Sequence, residues 1–279
     1  MAASAAAALA LGVPGCGSDV GAGFGGGPWT VLAATTGGQL VEFRSDQPGV
    51  VTTRAAAITG LNAGEIVVGM DFRPSNKQLY AVTNHSRIVT INTTTGAATP
   101  VGPAFAPVLT GNAFGVDFNP VADRLRIVSD TEQNLRVDPG TGALAGTDTA
   151  LAYVAGDVNA GQNPNVMAAA YTNNMHPPAP ATTLYVIDTE RDVLARLGGV
   201  DGVPSPNTGE LRTVGPLGFD AGSDVASYDI APDGTSLALL TGAGGANPSL
   251  YSVSLATGSA VLIGRVGGGV TPTAIAVVP

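Results

Sequence analysis

The chain has 279 residues and a net charge of −9, from 21 acidic against 12 basic residues, with Lys77 its only lysine. Its arginines are scattered singly from Arg44 to Arg265, which excludes the clustered cations that a DNA or RNA binder needs to displace counterions. One cysteine and two histidines exclude an intramolecular disulfide, a Cys-rich cluster and a His-rich metal centre.

The first element is an apolar run from Ala2 to Val13, too short to span a bilayer and of the length of a signal-peptide core. It ends in Val13-Pro14-Gly15-Cys16, which resembles the bacterial lipoprotein signal. The resemblance implies cleavage before Cys16 and lipid attachment to it. Pro14 is unusual in such a signal, and no Lys or Arg precedes Arg44, so the usual basic start is missing. Residues 1–16 are therefore expected to be a leader, 17–27 a Gly-rich tether, and 28–279 a single folded domain. No later segment reaches 18 apolar residues, so the only expected membrane contact is the lipid.

From Trp29 onward the chain reads as strands and turns. Trp29 to Ala34, Leu40 to Phe43 and Val50 to Ala56 are three strands with no partner before them. A repeating unit follows. Val68-Gly69-Met70-Asp71-Phe72-Arg73-Pro74 precedes Leu79-Tyr80-Ala81-Val82-Thr83, and Gly115-Val116-Asp117-Phe118-Asn119-Pro120 precedes Leu125-Arg126-Ile127-Val128-Ser129. Degenerate copies start at Val166 and Ser227, and turns recur at Asn92 to Gly96, Asp138 to Gly142 and Leu255 to Gly258. Units of about 45–60 residues holding four short strands match propeller blades. The last run, Thr273 to Pro279, reads as a first strand with nothing after it. Joined to the three strands at the start, it completes a fifth blade and removes the open sheet edges. The expected fold is all-β: a single β-propeller of five four-stranded blades, closed by N- and C-terminal strands in one blade. A strand pair hidden between Arg196 and Asp224 would change that count.

The runs GMDFRP, AFGVDFNPVADRLRIVSDTEQNLRVDPGTG, LAYVAGDVNAGQNPNV and LYSVSLATGSAVLIG resemble the bacterial domain-of-unknown-function family numbered 4394, over about residues 30–279. The resemblance implies a propeller-like, often exported protein and carries no activity with it. Ser205-Pro206-Asn207 stands where that family usually has two prolines before the asparagine, and Ser227-Tyr228 where it has Gly-Phe.

Candidate chemistry is sparse. Asp71, Asp117 and Asp229 hold equivalent places in three first strands. They can form a ring of carboxylates for a hard cation such as Ca2+, or act as acceptors for backbone N–H groups, with Arg87, Arg124 or Arg126 as partners. Asp157, Asn159 and Asn163 put oxygens at alternate positions, but the glycine falls one place early for an EF-hand and Ala168 replaces its glutamate. That leaves a looser oxygen site for a ligand or an Asx turn. His176 sits in a Pro-rich insertion and is a candidate ligand contact. His85 and Ser86 are neighbours, and on a strand they would face opposite ways. There is no G-x-S-x-G elbow. These features point to an exported, monomeric propeller, lipid-anchored in the cell envelope or secreted, that binds a ligand or protein partner and is more a binding module than an enzyme. The alternative is an envelope hydrolase using channel-mouth carboxylates and a divalent cation, and a third reading is a rigid spacer.

Overall fold

The computed structural model describes residues 27–222, 226–242 and 247–279. The expected leader with Cys16, and the expected tether up to residue 26, lie outside the described residues. The described chain forms 21 strands and two 3-10 turns, without an α-helix. Among the described residues, no helix is long and apolar enough to cross a membrane.

β1 (Thr30–Thr35), β2 (Leu40–Arg44) and β3 (Gln47–Ala55) begin blade one. Blade two is β4 (Val67–Phe72), β5 (Leu79–Thr83), β6 (Arg87–Ile91) and β7 (Ala98–Pro100). Blade three is β8 (Phe114–Asn119), β9 (Arg124–Ser129), β10 (Asn134–Val137) and β11 (Leu144–Thr147). A two-residue strand, β12 (Ala152–Tyr153), precedes blade four, which is β13 (Val166–Tyr171), β14 (Leu184–Asp188), β15 (Val193–Leu197) and β16 (Glu210–Pro216). Blade five is β17 (Ala226–Ile230), β18 (Ser236–Leu240), β19 (Ser249–Val253) and β20 (Ala260–Arg265). β21 (Pro272–Val277) then returns to pair antiparallel with β1, Ile275 opposite Ala33, and closes the ring. The five-blade expectation and its closure by both ends of the chain hold. Beyond the end of β15, the described residues 198–222 contribute the single outer strand β16, with no hidden pair among them. One detail departs from expectation: β12 adds a parallel fifth strand to the outer edge of blade four, Tyr153 opposite Leu211.

The core is not one mass but five apolar clusters, each shared by two neighbouring blades. Leu32 and Leu40 of blade one meet Met70, Phe72 and Leu79 of blade two. Tyr80 and Ile88 of blade two meet Phe118 and Ile127 of blade three, the Tyr80 and Phe118 rings edge to face at 5.3 Å. The same holds between blades three and four, four and five, and five and one. Both faces of a blade are therefore covered, and strands such as β5, β13 and β18 are buried at every residue. This explains why they read as unbroken apolar runs instead of alternating ones.

The innermost strands β4, β8, β13, β17 and β21 line the axis. Small residues let them approach. A Cβ on Gly69 would strike the side chain of Val116, and one on Gly115 would strike the backbone of Ala168 and Ala169. The end of the ring where these inner strands begin is its upper end.

Candidate functional site

Strand pairing fixes five equivalent positions around the axis. Asp71 lies opposite Tyr80, Asp117 opposite Arg126, Ala170 opposite Tyr185, Asp229 opposite Leu237 and Ala276 opposite Leu32. Three of the five carry carboxylates, 1%, 0% and 2% exposed. One oxygen from each lies within 4.8 Å of the others. Each aspartate also reaches the next blade. Asp71 Oδ2 accepts from the Phe118 N–H at 2.8 Å, Asp117 Oδ1 from the Tyr171 N–H at 3.2 Å, and Asp229 Oδ2 from the Val277 N–H at 2.6 Å. Asp71 Oδ1 takes the Phe72 N–H at 2.6 Å as well. Ser227 repeats the stitch one layer away, accepting from the Ile275 N–H at 3.0 Å. The acceptor role foreseen for these aspartates is thus present. The arginine partners foreseen for them are not: Arg87 pairs with Glu65, Arg124 with Asp138 and Arg126 with Asp148, so each guanidinium is already engaged by another carboxylate.

The triad's electrostatics follow from its burial. Loss of water raises Asp71 and Asp117 well above the usual carboxylate range, and the neighbouring aspartates raise them further. Burial lifts Asp229 to about 6, against the hydrogen bond from Val277. Two oxygens, Asp117 Oδ2 and Asp229 Oδ1, are buried with no hydrogen-bond partner. Such atoms are rare and call for a reason.

Above the triad the five blades meet at a depression of about 140 Å3, with Val68, Phe114, Met167, Ala226 and Thr273 each contributed by a different blade. It adjoins a larger groove of about 330 Å3 over blades one and two, sharing Ile66, Val67 and Thr273 with it. Thr35, Thr36, Ile58, Leu61 and Asn62 supply much of the groove's remaining wall. Its single carboxylate, Glu65, is 6% exposed and held from all sides. Thr83 Oγ1 donates to Oε1 at 2.6 Å, Arg87 Nε to Oε1 at 2.9 Å and Nη2 to Oε2 at 2.5 Å, and the Asn62 N–H to Oε2 at 2.8 Å. Burial alone would raise Glu65, but hydrogen bonds from Arg87, Thr83 and Asn62 bring it down from 4.5 to about 2. The sequence did not single out Glu65. It stands in the link between blades one and two, where no repeat marks it.

A profile of a family described as a domain of unknown function, DUF4394, matches residues 39–276. The chain belongs to the DUF4394 family. No curated protein matches it. Among solved structures, a protein of unknown function from Bacteroides thetaiotaomicron superposes with a TM-score of 0.50 at 13% identity, over 89% of the DUF4394 chain. The DUF4394 chain spans 64% of that protein's length. A Lactobacillus plantarum protein gives 0.42 at 16% identity over 90% of this chain and 72% of its own. Myxococcus xanthus glutaminyl cyclase gives 0.45 at 14% identity over 84% and 92%. At 13% identity the first of these likenesses speaks to fold alone.

The remaining candidates of the DUF4394 chain fall apart in space. Asp157 and Asn159 do come together, but as a turn: the Asn159 N–H donates to Asp157 Oδ1 at 2.9 Å. Thr213 locks it, with its N–H 2.7 Å from Asp157 Oδ2 and its hydroxyl 2.7 Å from Oδ1. Asn163 donates instead to Glu132 Oε1 at 2.9 Å. This segment precedes β13, whereas His176 is exposed in the loop after β13, so the six-residue strand separates them by roughly 20 Å. His85 and Ser86 lie on a turn, with Ser86 buried and its Oγ accepting from the Leu109 N–H at 2.9 Å while His85 is exposed.

Proposed function

We propose that this protein is an exported, lipid-anchored, non-enzymatic binding propeller of the cell envelope, and that its ligand seats in the groove at the upper end of the ring over blades one and two. The observation that supports this best is the make-up of that groove. Its volume of about 330 Å3 is at the small end of ligand sites, and its wall is apolar and hydroxyl-bearing. The one ionisable group it contains, Glu65, has its hydrogen-bonding capacity taken by Arg87, Thr83 and Asn62 and cannot shuttle a proton to a substrate. A small neutral ligand, with hydroxyl or amide groups for Thr35, Thr36 and Asn62, fits such a wall. The axial aspartates give no support to hydrolysis, since they are buried and already accept backbone N–H groups.

Amide chemical-shift mapping with a panel of neutral sugars, short peptides and small alcohols tests the groove. Shifts are expected at Thr36, Leu61, Ile66 and Thr273, and are expected to vanish in Leu61→Trp, which fills the groove. Shifts confined to other surfaces, or unchanged in that variant, refute the assignment. The anchor is tested separately. Cys16→Ala should move the protein from the membrane fraction to the soluble extracytoplasmic fraction, and a variant that stays with membranes sinks the lipid assignment.

A further inference from the structure

We propose that Asp71, Asp117 and Asp229 together hold one calcium ion on the propeller axis, pinning blades two, three and five to one another at the centre of the ring. Three observations carry this, independently of what fills the upper groove. The first is proximity: one oxygen from each carboxylate lies within 4.8 Å of the other two, all nearly without solvent exposure. Like charges at such spacing in a dry interior repel strongly unless something neutralises them.

The second is the accounting of partners. Four backbone N–H groups, from Phe72, Phe118, Tyr171 and Val277, satisfy Asp71 Oδ1 and Oδ2, Asp117 Oδ1 and Asp229 Oδ2. Asp117 Oδ2 and Asp229 Oδ1 are left buried with nothing to bond. Leaving a buried acceptor unsatisfied is costly, so a missing partner is indicated, and a bound cation satisfies both oxygens at once where a single proton must be shared between them. The third is that the protein supplies no cation for the role. The arginines that follow Asp71 and Asp117 most closely in sequence, Arg73, Arg87, Arg124 and Arg126, are committed to Asp123, Glu65, Asp138 and Asp148.

The chemistry of the site selects the ion. Its donors are all carboxylate oxygens, which suit hard cations and not zinc or copper. Each oxygen that accepts an N–H keeps a second lone pair, so three carboxylates can offer up to six donors. That meets the lower bound of calcium's six to eight ligands in its flexible geometry. Magnesium demands a near-ideal octahedron and keeps several waters, which a site whose carboxylates are at most 2% exposed does not favour.

The test uses the chain as it is made. Elemental analysis of protein equilibrated with calcium and then desalted is expected to give about one calcium per chain. Relative to EDTA, millimolar Ca2+ is expected to raise Tm by roughly 5–10 °C, as for an ion at about a hundred times its Kd. Asp117→Asn keeps the side-chain volume and the acceptor for the Tyr171 N–H, and should lose both the ion and the response. Asp46→Asn, at an exposed pair with Arg44, should lose neither. Less than about a tenth of an ion per chain in the unaltered protein, with equal Tm in EDTA and Ca2+, would overturn the proposal whether or not the variant folds. So would calcium retained at full stoichiometry in Asp117→Asn. An equal rise with Mg2+ would overturn the choice of ion.

Discussion

Glu65 offers the sharpest test of how the upper end of the ring is held together. Its side chain is fully buried against an Arg87 that is 15% exposed, and its pKa is brought from 4.5 to about 2. A carboxylate with a lowered native pKa stabilises the fold above its unfolded pKa and loses that contribution as pH falls through the native value. The window here therefore runs from about pH 4.5 down to about pH 2. Across it the Glu65 cluster should give up on the order of 3 kcal/mol. For a domain of this size that amounts to roughly 6–12 °C in Tm. Other acids titrate in the same range, so the unaltered chain must be compared with Glu65→Gln, which keeps the shape and removes the titration. Circular-dichroism melts of both proteins from about pH 6 to about pH 2 should show the advantage of the glutamate shrinking by that amount. A difference between the two that is constant over the range refutes the reasoning, because it would mean that Arg87 and Thr83 do not hold the charged form in the native state.

Two further outcomes follow from the packing. Gly115→Ala sets a methyl against the backbone of β13, which cannot move aside, and should cost about 3 kcal/mol, whereas Gly69→Ala meets only the Val116 side chain and should cost less. Urea denaturation of the two variants checks the order, and equal losses contradict the close approach of blades three and four. Tyr153→Phe removes the hydroxyl that donates to buried Asp188 Oδ2 at 2.7 Å. It should cost about 1–3 kcal/mol in the same assay and increase amide exchange along β12 and β16, while an unchanged exchange pattern would show that β12 is held by other means.

What could be read from the residues, and what could not, divides along one physical line. Repeated local pattern was legible: Gly-x-Asp-Phe at Gly69 and Gly115 marks inner strands, and the partnerless strands at the two ends imply their own pairing. The equivalence of Asp71, Asp117 and Asp229 was legible for the same reason. Contacts made by the links between blades were not. Glu65 and Arg87 meet because the 56–66 link folds back over β6, and that path has no period in the sequence. Arg126 was one candidate partner of the axial aspartates, yet it pairs with Asp148, 2.6 Å away, and with Asn207 of the next blade. β12 was missed because two residues pairing in parallel leave no alternation to detect. Asp157 and Asn159 carried two readings, and the local one, an Asx turn, is what the structure contains.

The closure of the ring through β21 has a temporal side. β1, its partner, is among the first strands to be translated, and β21 follows all twenty others. No nascent chain can complete blade one until residues 272–277 have been made. Until then β1 and the inner strands of blades two and five lack a neighbour, and this strongly non-local pairing makes folding slow. The domain stays incomplete during synthesis and acquires its full set of interfaces in one late step.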